Sequence, residues 1–224
     1  MLIAEDLLLL LLDDDSGTVP SSLDLRPVLG GAVLLELALT DAVRVSDKSG
    51  FWQSAKVRAQ PGAAPPDPIL AAAFALVAEK ERGAQDLVGR LGKGLPEQLT
   101  ERLAAQGILR REDSKVLGLF PRTVWPAADV AREAEVRRAL TSVLVEGNEP
   151  DERTGALVAL LHAIGRAHKT VPHEGLPARE VKARAKRIAE GDWAAQAVKD
   201  AIDATTAAMV AATVAATTAA TTSG

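Results

Sequence analysis

The sequence predicts a mainly α protein: a single globular helical domain around a buried central helix bundle, with one or two β-hairpins at its surface. Three observations carry that prediction. From Gly30 to Leu39 every side chain after the glycines is apolar except Glu36, and a helix without a polar face belongs in the middle of a core. Aromatic residues make up only 3% of a chain that is 47% hydrophobic, so the core must be built from Leu, Val and Ala, which favours helix-on-helix packing. Further stretches, among them Thr154–His162 and Trp193–Val214, repeat apolar residues at helical spacing. With 224 residues and 25% charged side chains, one core suffices. Residues 1–214 are read as that domain, and the Ala/Thr-rich tail 215–224 is expected to fray.

Taken in order, Met1–Leu12 reads as a helix with Glu5 and Asp6 in its first turn, where they suit the positive end of the helix dipole. Asp13–Thr18 is a turn broken by Ser16-Gly17, and Pro20–Pro27 an irregular connector. The central helix follows. Its Glu36 demands a partner, because an unpartnered polar group in an apolar setting costs roughly 2–7 kcal/mol. An arginine or the backbone N–H groups of a neighbouring helix start would satisfy it; the competing reading is a catalytic carboxylate. Beyond Leu39 the period shortens, and Ala42–Val45, Asp47–Gly50 and Phe51–Val57 read as a hairpin. Gln60–Pro68 is a proline-rich loop, Pro68–Lys80 an Ala-rich helix with Pro at its first position, and Asp86–Leu91 a short helix ended by Gly92-Lys93-Gly94.

Pro96–Gln106 is an amphipathic helix capped by Gly107. Ile108-Leu109 and Val116–Phe120 are read as a second hairpin with Arg110–Lys115 at its tip, and Arg122–Pro126 as extended. Ala128–Val145 is a helix with a charged face, Asp151 caps the apolar helix Thr154–His162, Pro172–Pro177 is a loop, Ala178–Glu190 is a basic helix, and Trp193 to about Val214 is the last helix.

Composition also excludes. Without cysteine there is no disulfide, thiolate nucleophile or zinc–sulfur site. The net charge of −4 argues against a general nucleic-acid binder. The six leucines Leu7–Leu12 are bracketed by acids, too few to span a bilayer and without the basic start of a leader peptide; the chain is read as cytoplasmic, at most peripheral to a membrane, with no transmembrane span. His162 and His168 lie six residues apart and point about 240° apart on a helix, so they cannot chelate one ion. Gly92-Lys93-Gly94 lacks the spacing of a phosphate loop, and there is no Gly-x-Ser-x-Gly elbow. The reading is therefore no enzyme, no metal and no cofactor.

What remains is positive charge. Between Gly89 and Arg122 seven basic residues stand against four acidic ones, and between Ala178 and Arg187 five against one. Such runs serve either as solvated faces or as a surface for anionic headgroups, where each Lys or Arg adds about 1 kcal/mol.

Certain stretches resemble a family. Glu5-Asp6-Leu7 through Leu12-Asp13-Asp14 followed by Gly30–Leu39, Leu103–Leu109 with Leu117–Pro121, Asp151–Arg153 with Leu157–Ala163, and the basic run Lys182–Ile188 are together similar to the Golgi phosphoprotein 3 type, including its bacterial, chiefly actinobacterial, members. The resemblance implies a helical globule around a buried four-helix core with a β-hairpin on its membrane face. It also implies binding of phosphatidylinositol 4-phosphate by the eukaryotic members, which act as adaptors for the tails of resident enzymes. The family's headgroup tryptophan aligns near Ser21, and the arginine before its central helix at Gly30. Its two arginines ahead of the hairpin align near Lys93 and Pro96.

The expected function is a non-enzymatic peripheral membrane protein that recognises anionic, phosphatidylinositol-4-phosphate-like headgroups. Arg26, Lys93, Arg102, Arg110 and Arg111 would supply the charge-assisted hydrogen bonds. The alternatives are a protein-interaction scaffold without a lipid ligand and a winged-helix-like nucleic-acid or regulatory module, the latter suggested by two helix-then-hairpin units.

Overall fold

Leucine density shapes the centre of the molecule. In the computed structural model, which describes residues 1–13, 16–20, 23–45, 56–116, 120–191 and 200–211, helix α1 (Ile3–Leu11) has all nine residues buried, Glu5 and Asp6 included. Helix α2 (Leu25–Leu39) is buried from Pro27 to Ala38. Neither has a polar face to turn to water, so they pack on each other and are sheathed by later helices.

Helix α2 starts earlier than the sequence suggests. The connector Pro20–Pro27 ends at Asp24, whose carboxylate accepts from the Arg26 amide at 3.1 Å and caps the helix. Pro27 falls in the first turn, where a missing N–H costs nothing. Gly30 and Gly31 let neighbours come close on two sides. A Cβ on Gly30 would sit 2.2 Å from the carbonyl oxygen of Val88, and one on Gly31 would sit 2.6 Å from the sulfur of Met209.

Strands β1 (Val43–Val45) and β2 (Lys56–Ala59) pair antiparallel, Val43 opposite Ala59. The predicted turn Asp47–Gly50 and the residues 51–55 of its second strand lie outside the described residues. Helix α3 (Pro68–Glu79) is capped by Asp67, which accepts from the Ile69 and Leu70 amides. A third strand, β3 (Arg82–Gly83), adds to β2; two residues carry too little alternation for a sequence pattern to detect. Helices α4 (Ala84–Leu91) and α5 (Leu95–Ala105) follow, separated by the predicted glycine turn. Both pack on α2.

The second hairpin differs from expectation. Its strands are β4 (Glu112–Val116) and β5 (Phe120–Val124), in register Glu112 opposite Val124 through Val116 opposite Phe120. A bridge between Leu109 and Ala127, with the Arg110 amide donating to the Pro126 oxygen at 2.9 Å, extends the pairing backwards. The pairing therefore runs from Leu109 to Ala127, and its midpoint falls on residues 117–119, outside the described residues. Arg110 and Arg111 stand at the base of the hairpin and not at its tip. The apolar run Val116–Phe120, read as one strand, is divided between two: Val116 ends β4 and Phe120 begins β5.

Helix α6 (Ala131–Thr141) continues into a π turn, Ser142–Glu146. Helix α7 (Glu152–Ala163) is capped as predicted, Asp151 accepting from the Thr154 amide at 2.6 Å. A 3₁₀ turn (Ala167–Lys169) and helix α8 (Ala178–Ala189), which packs on α7, follow. Residues 200–211 are helical (α9); the rest of the predicted last helix and the tail 215–224 lie outside the described residues. One continuous hydrophobic cluster joins α1 to Met209. Among the described residues no helix is long and apolar enough to cross a membrane.

Candidate functional site

The loop after α1 and the exit of the second hairpin are fastened together. The Asp13 amide donates to the Thr18 oxygen, the Gly17 amide to the Asp13 oxygen, and the Trp125 amide to the Gly17 oxygen at 3.0 Å. Gly17 has φ +58°, and a Cβ on it would lie 2.3 Å from Pro126 nitrogen, so only glycine fits this crossing. Beside it stand the first turns of α2 and α5. These pieces enclose a cleft of about 210 Å³ with an apolar floor of Leu8, Leu12, Val19 and Leu25 and a wall of Glu97, Thr123 and Trp125.

None of the five cations singled out in the sequence lines this cleft, but four lie on the segments that border it. Arg26 directly follows Leu25 and is 66% exposed. It forks onto Asp24 (Nε–Oδ1 3.1 Å, Nη2–Oδ2 2.9 Å). That hydrogen-bonded pairing holds the Asp24 carboxyl below the usual carboxylate range and raises Arg26 in turn. Lys93 is exposed on the glycine turn. That turn presses on Arg26, since a Cβ on Gly92 would lie 1.9 Å from the Arg26 carbonyl oxygen. The Arg111 guanidinium carbon lies 6.0 Å from the ring centroid of Trp125, which lines the cleft, within cation–π range. Arg111 is 59% exposed and faces Asp113 at 3.5 Å; Arg110 is 62% exposed and pairs with Glu112 at 2.7 Å.

The fifth, Arg102, goes elsewhere. Pro96, Glu97 and Thr100 of α5 line the cleft, and a residue two beyond Thr100 points roughly 200° away from it. Arg102 instead lies 3.0 Å from Glu5 Oε1 and 2.7 Å from Asp67 Oδ2. The hydrogen bond to Asp67 raises the Arg102 guanidinium, with Glu5 adding to it. Burial opposes ionisation of Asp67, but Arg102 and the α3 amides outweigh it and keep its pKa low. The nucleic-acid reading of α5 loses its one helix cation with this pairing.

Arg102 belongs to an internal ionic network that the sequence does not reveal. Asp6, 2% exposed, accepts from Arg132 (Nε–Oδ1 2.8 Å, Nη2–Oδ2 2.7 Å) and from Arg153 (Nη2–Oδ2 2.7 Å). Arg153 also reaches Glu36 Oε1 at 3.3 Å and the Met1 carbonyl oxygen at 2.8 Å. Glu36 Oε2 accepts from the Ile3 amide at 2.8 Å, and Glu5 Oε2 from the Leu2 amide at 2.6 Å. Two free N–H groups at the start of α1 are thus satisfied by carboxylates. Glu36 has both partners foreseen for it, an arginine and a helix-start amide; burial nevertheless pushes its carboxyl up. A helix-dipole role is too small for Glu5 and Asp6, which anchor three helices from inside the core. The signal was present in sequence as two acids abutting six leucines, but nothing local names their partners.

The two aligned positions fare differently. Ser21 lies outside the described residues. Gly30 is inside α2, not before it, and has no room for a side chain of any kind; the arginine at the start of this helix is Arg26. Among the described residues no three His, Asp or Glu side chains are grouped to hold a metal.

Compared with known families, residues 3–205 match the family described as Golgi phosphoprotein 3 (GPP34). No curated protein matches the chain.

Proposed function

The chain belongs to the Golgi phosphoprotein 3 family, and on that premise we propose that it is a non-enzymatic peripheral membrane protein, an adaptor on the cytoplasmic face, which binds anionic, phosphatidylinositol-4-phosphate-like headgroups. The observation that carries the reading is a cleft of about 210 Å³ whose bordering segments carry exposed cations: Arg26 follows the lining residue Leu25, Lys93 precedes the α5 turn that supplies Pro96 and Glu97, and Arg110 and Arg111 lie at the hairpin base beside Trp125. On this reading a phosphate monoester is held at the rim by these guanidinium forks and one ammonium, the donors that bind phosphate best, and not by the lining itself, whose charged residue is Glu97. Their resident partners Asp24, Glu112 and Asp113 are neighbours in sequence on the protein surface, and such pairs are worth only about 0–1 kcal/mol. An arriving phosphate therefore competes with them at little cost. Trp125, with an apolar body and a polar N–H, suits the boundary between headgroups and water.

Binding of this kind is electrostatic and weakens with salt. Co-sedimentation with vesicles is the test. The protein should pellet with phosphatidylcholine vesicles only when an acidic phospholipid is mixed in, and Arg110→Glu/Arg111→Glu should weaken binding at least roughly thirtyfold, from about 1 kcal/mol per cation. Equal binding to neutral and acidic vesicles would overturn the proposal.

A further inference from the structure

A second cleft, of about 250 Å³, opens on the other flank of the C-terminal end of α1. Leu12 lines both clefts, but the second is walled by Arg137, Arg166 and Lys169, with Asp13 the one carboxylate among its lining residues. We infer that this cleft is a binding site for a phosphate-bearing anion, contacted by Arg166 and Lys169 over a fixed Arg137.

The backbone explains why two of the cations act together. Arg166 precedes the 3₁₀ turn and Lys169 ends it. In a 3₁₀ turn side chains three residues apart eclipse, so both line the same wall. The turn is held by the Arg166 amide donating to the Leu161 oxygen at 2.8 Å and the Lys169 amide donating to the Arg166 oxygen at 2.7 Å. Arg137 is immobilised behind them, donating to the Thr170 carbonyl oxygen at 2.8 Å and to Glu133 at 2.6 Å. Asp13 is exposed, and its Oδ1 accepts from the Ser16 amide at 2.8 Å. Neither the Arg166 nor the Lys169 side chain has an ion-pair partner among the described residues. This separates them from Arg26, Arg110 and Arg111, each of which has a carboxylate beside it.

The excess positive charge reaches a neighbour. His168 lies between the two cations in sequence, and its imidazole is lowered by burial first and then by Lys182, Lys169, His173 and Arg166. A guanidinium fork beside a mobile ammonium selects phosphate oxygens over a lone carboxylate. The volume admits one headgroup-sized moiety and no duplex.

The experiment titrates inorganic phosphate against the isotopically labelled full chain at constant ionic strength, chloride replacing phosphate in the control. The expected result is a saturable shift of the Lys169 and Thr170 amides and a rise in the His168 titration midpoint. Arg166→Gln/Lys169→Gln should weaken the binding read at Lys169 and Thr170 roughly thirtyfold, while Arg110→Glu/Arg111→Glu should leave those two amide shifts unchanged, whatever it does to phosphate at the first cleft. Acidic vesicles distinguish the source. A similar loss of vesicle binding in Arg166→Gln/Lys169→Gln identifies a lipid headgroup, and intact vesicle binding with lost phosphate binding identifies a soluble phosphate compound. Failure of phosphate to give a saturable shift, or an equal shift in the folded Arg166→Gln/Lys169→Gln variant, overturns the inference, whatever the first cleft does.

Discussion

Two sets of arginines divide the molecule. Arg102, Arg132 and Arg153 reach inward to Glu5, Asp6 and Glu36, carboxylates at most one-tenth exposed. Among the described residues the ion pairs of Arg26, Arg110 and Arg111 are with acids two residues away, and all three remain more than half exposed. Chemically the groups are identical. The inner set neutralises charges that would otherwise be stranded among leucines, so it is bound to the fold; the outer set is paired weakly enough to exchange partners with a ligand. Burial of the partner, not the number of ion pairs, separates a structural arginine from an available one.

The sharpest test of this division is Asp6→Ala. Removing one member of a buried pair costs about 3–5 kcal/mol. Arg132 and Arg153 keep some access to water, so the loss should lie near about 3 kcal/mol, read as a lower urea midpoint at unchanged slope. A loss under about 1 kcal/mol would put the inner network in the same class as the outer pairs. Arg102→Ala comes next. It leaves Glu5, which is fully buried, without its countercharge, and should cost about 2 kcal/mol while leaving vesicle binding of the folded protein intact. Weakened vesicle binding at unchanged stability would return Arg102 to the outer set. By contrast, Arg110→Glu/Arg111→Glu should shift stability by no more than about 0.5 kcal/mol.

The smallest effect concerns pH. His162 is lowered from its ordinary 6.5 by burial and then by Lys186, and His168 is lowered too. The unfolded chain therefore binds protons that the folded chain resists. The stability these histidines contribute is complete above about pH 6.5 and is lost as the pH falls through their lower folded values. Glu36 has the opposite sign: its raised carboxyl favours the folded state below its ordinary 4.5 and ceases to as the pH rises. Chemical denaturation across this range should show stability falling below pH 6.5, a slope that His162→Gln/His168→Gln flattens. An unchanged slope would assign it to other groups.

Much of the fold could be read from local pattern. Pro68 opens its helix and Asp151 caps its own as expected, the glycine turn at 92–94 separates two helices, and Gly30–Leu39 lies in the middle of the core. The second hairpin could not, because its register depends on Leu109 meeting Ala127, a pairing invisible to a scan for apolar runs. The candidate site was half legible. Arg26, Lys93, Arg110 and Arg111 stand out by charge and by resemblance as candidates, whereas Arg166 and Lys169 lie in a stretch with no charge run long enough to stand out.

A leucine-rich helical core and the need of Glu36 for a partner follow from the residues alone, because apolar spacing and the cost of a buried carboxylate are properties of a segment and its own side chains. Which arginine answers which acid was set by the folded chain. Ion pairing is settled at about 3 Å, between residues that lie more than a hundred positions apart for Asp6 and Arg153. No local pattern carries that distance.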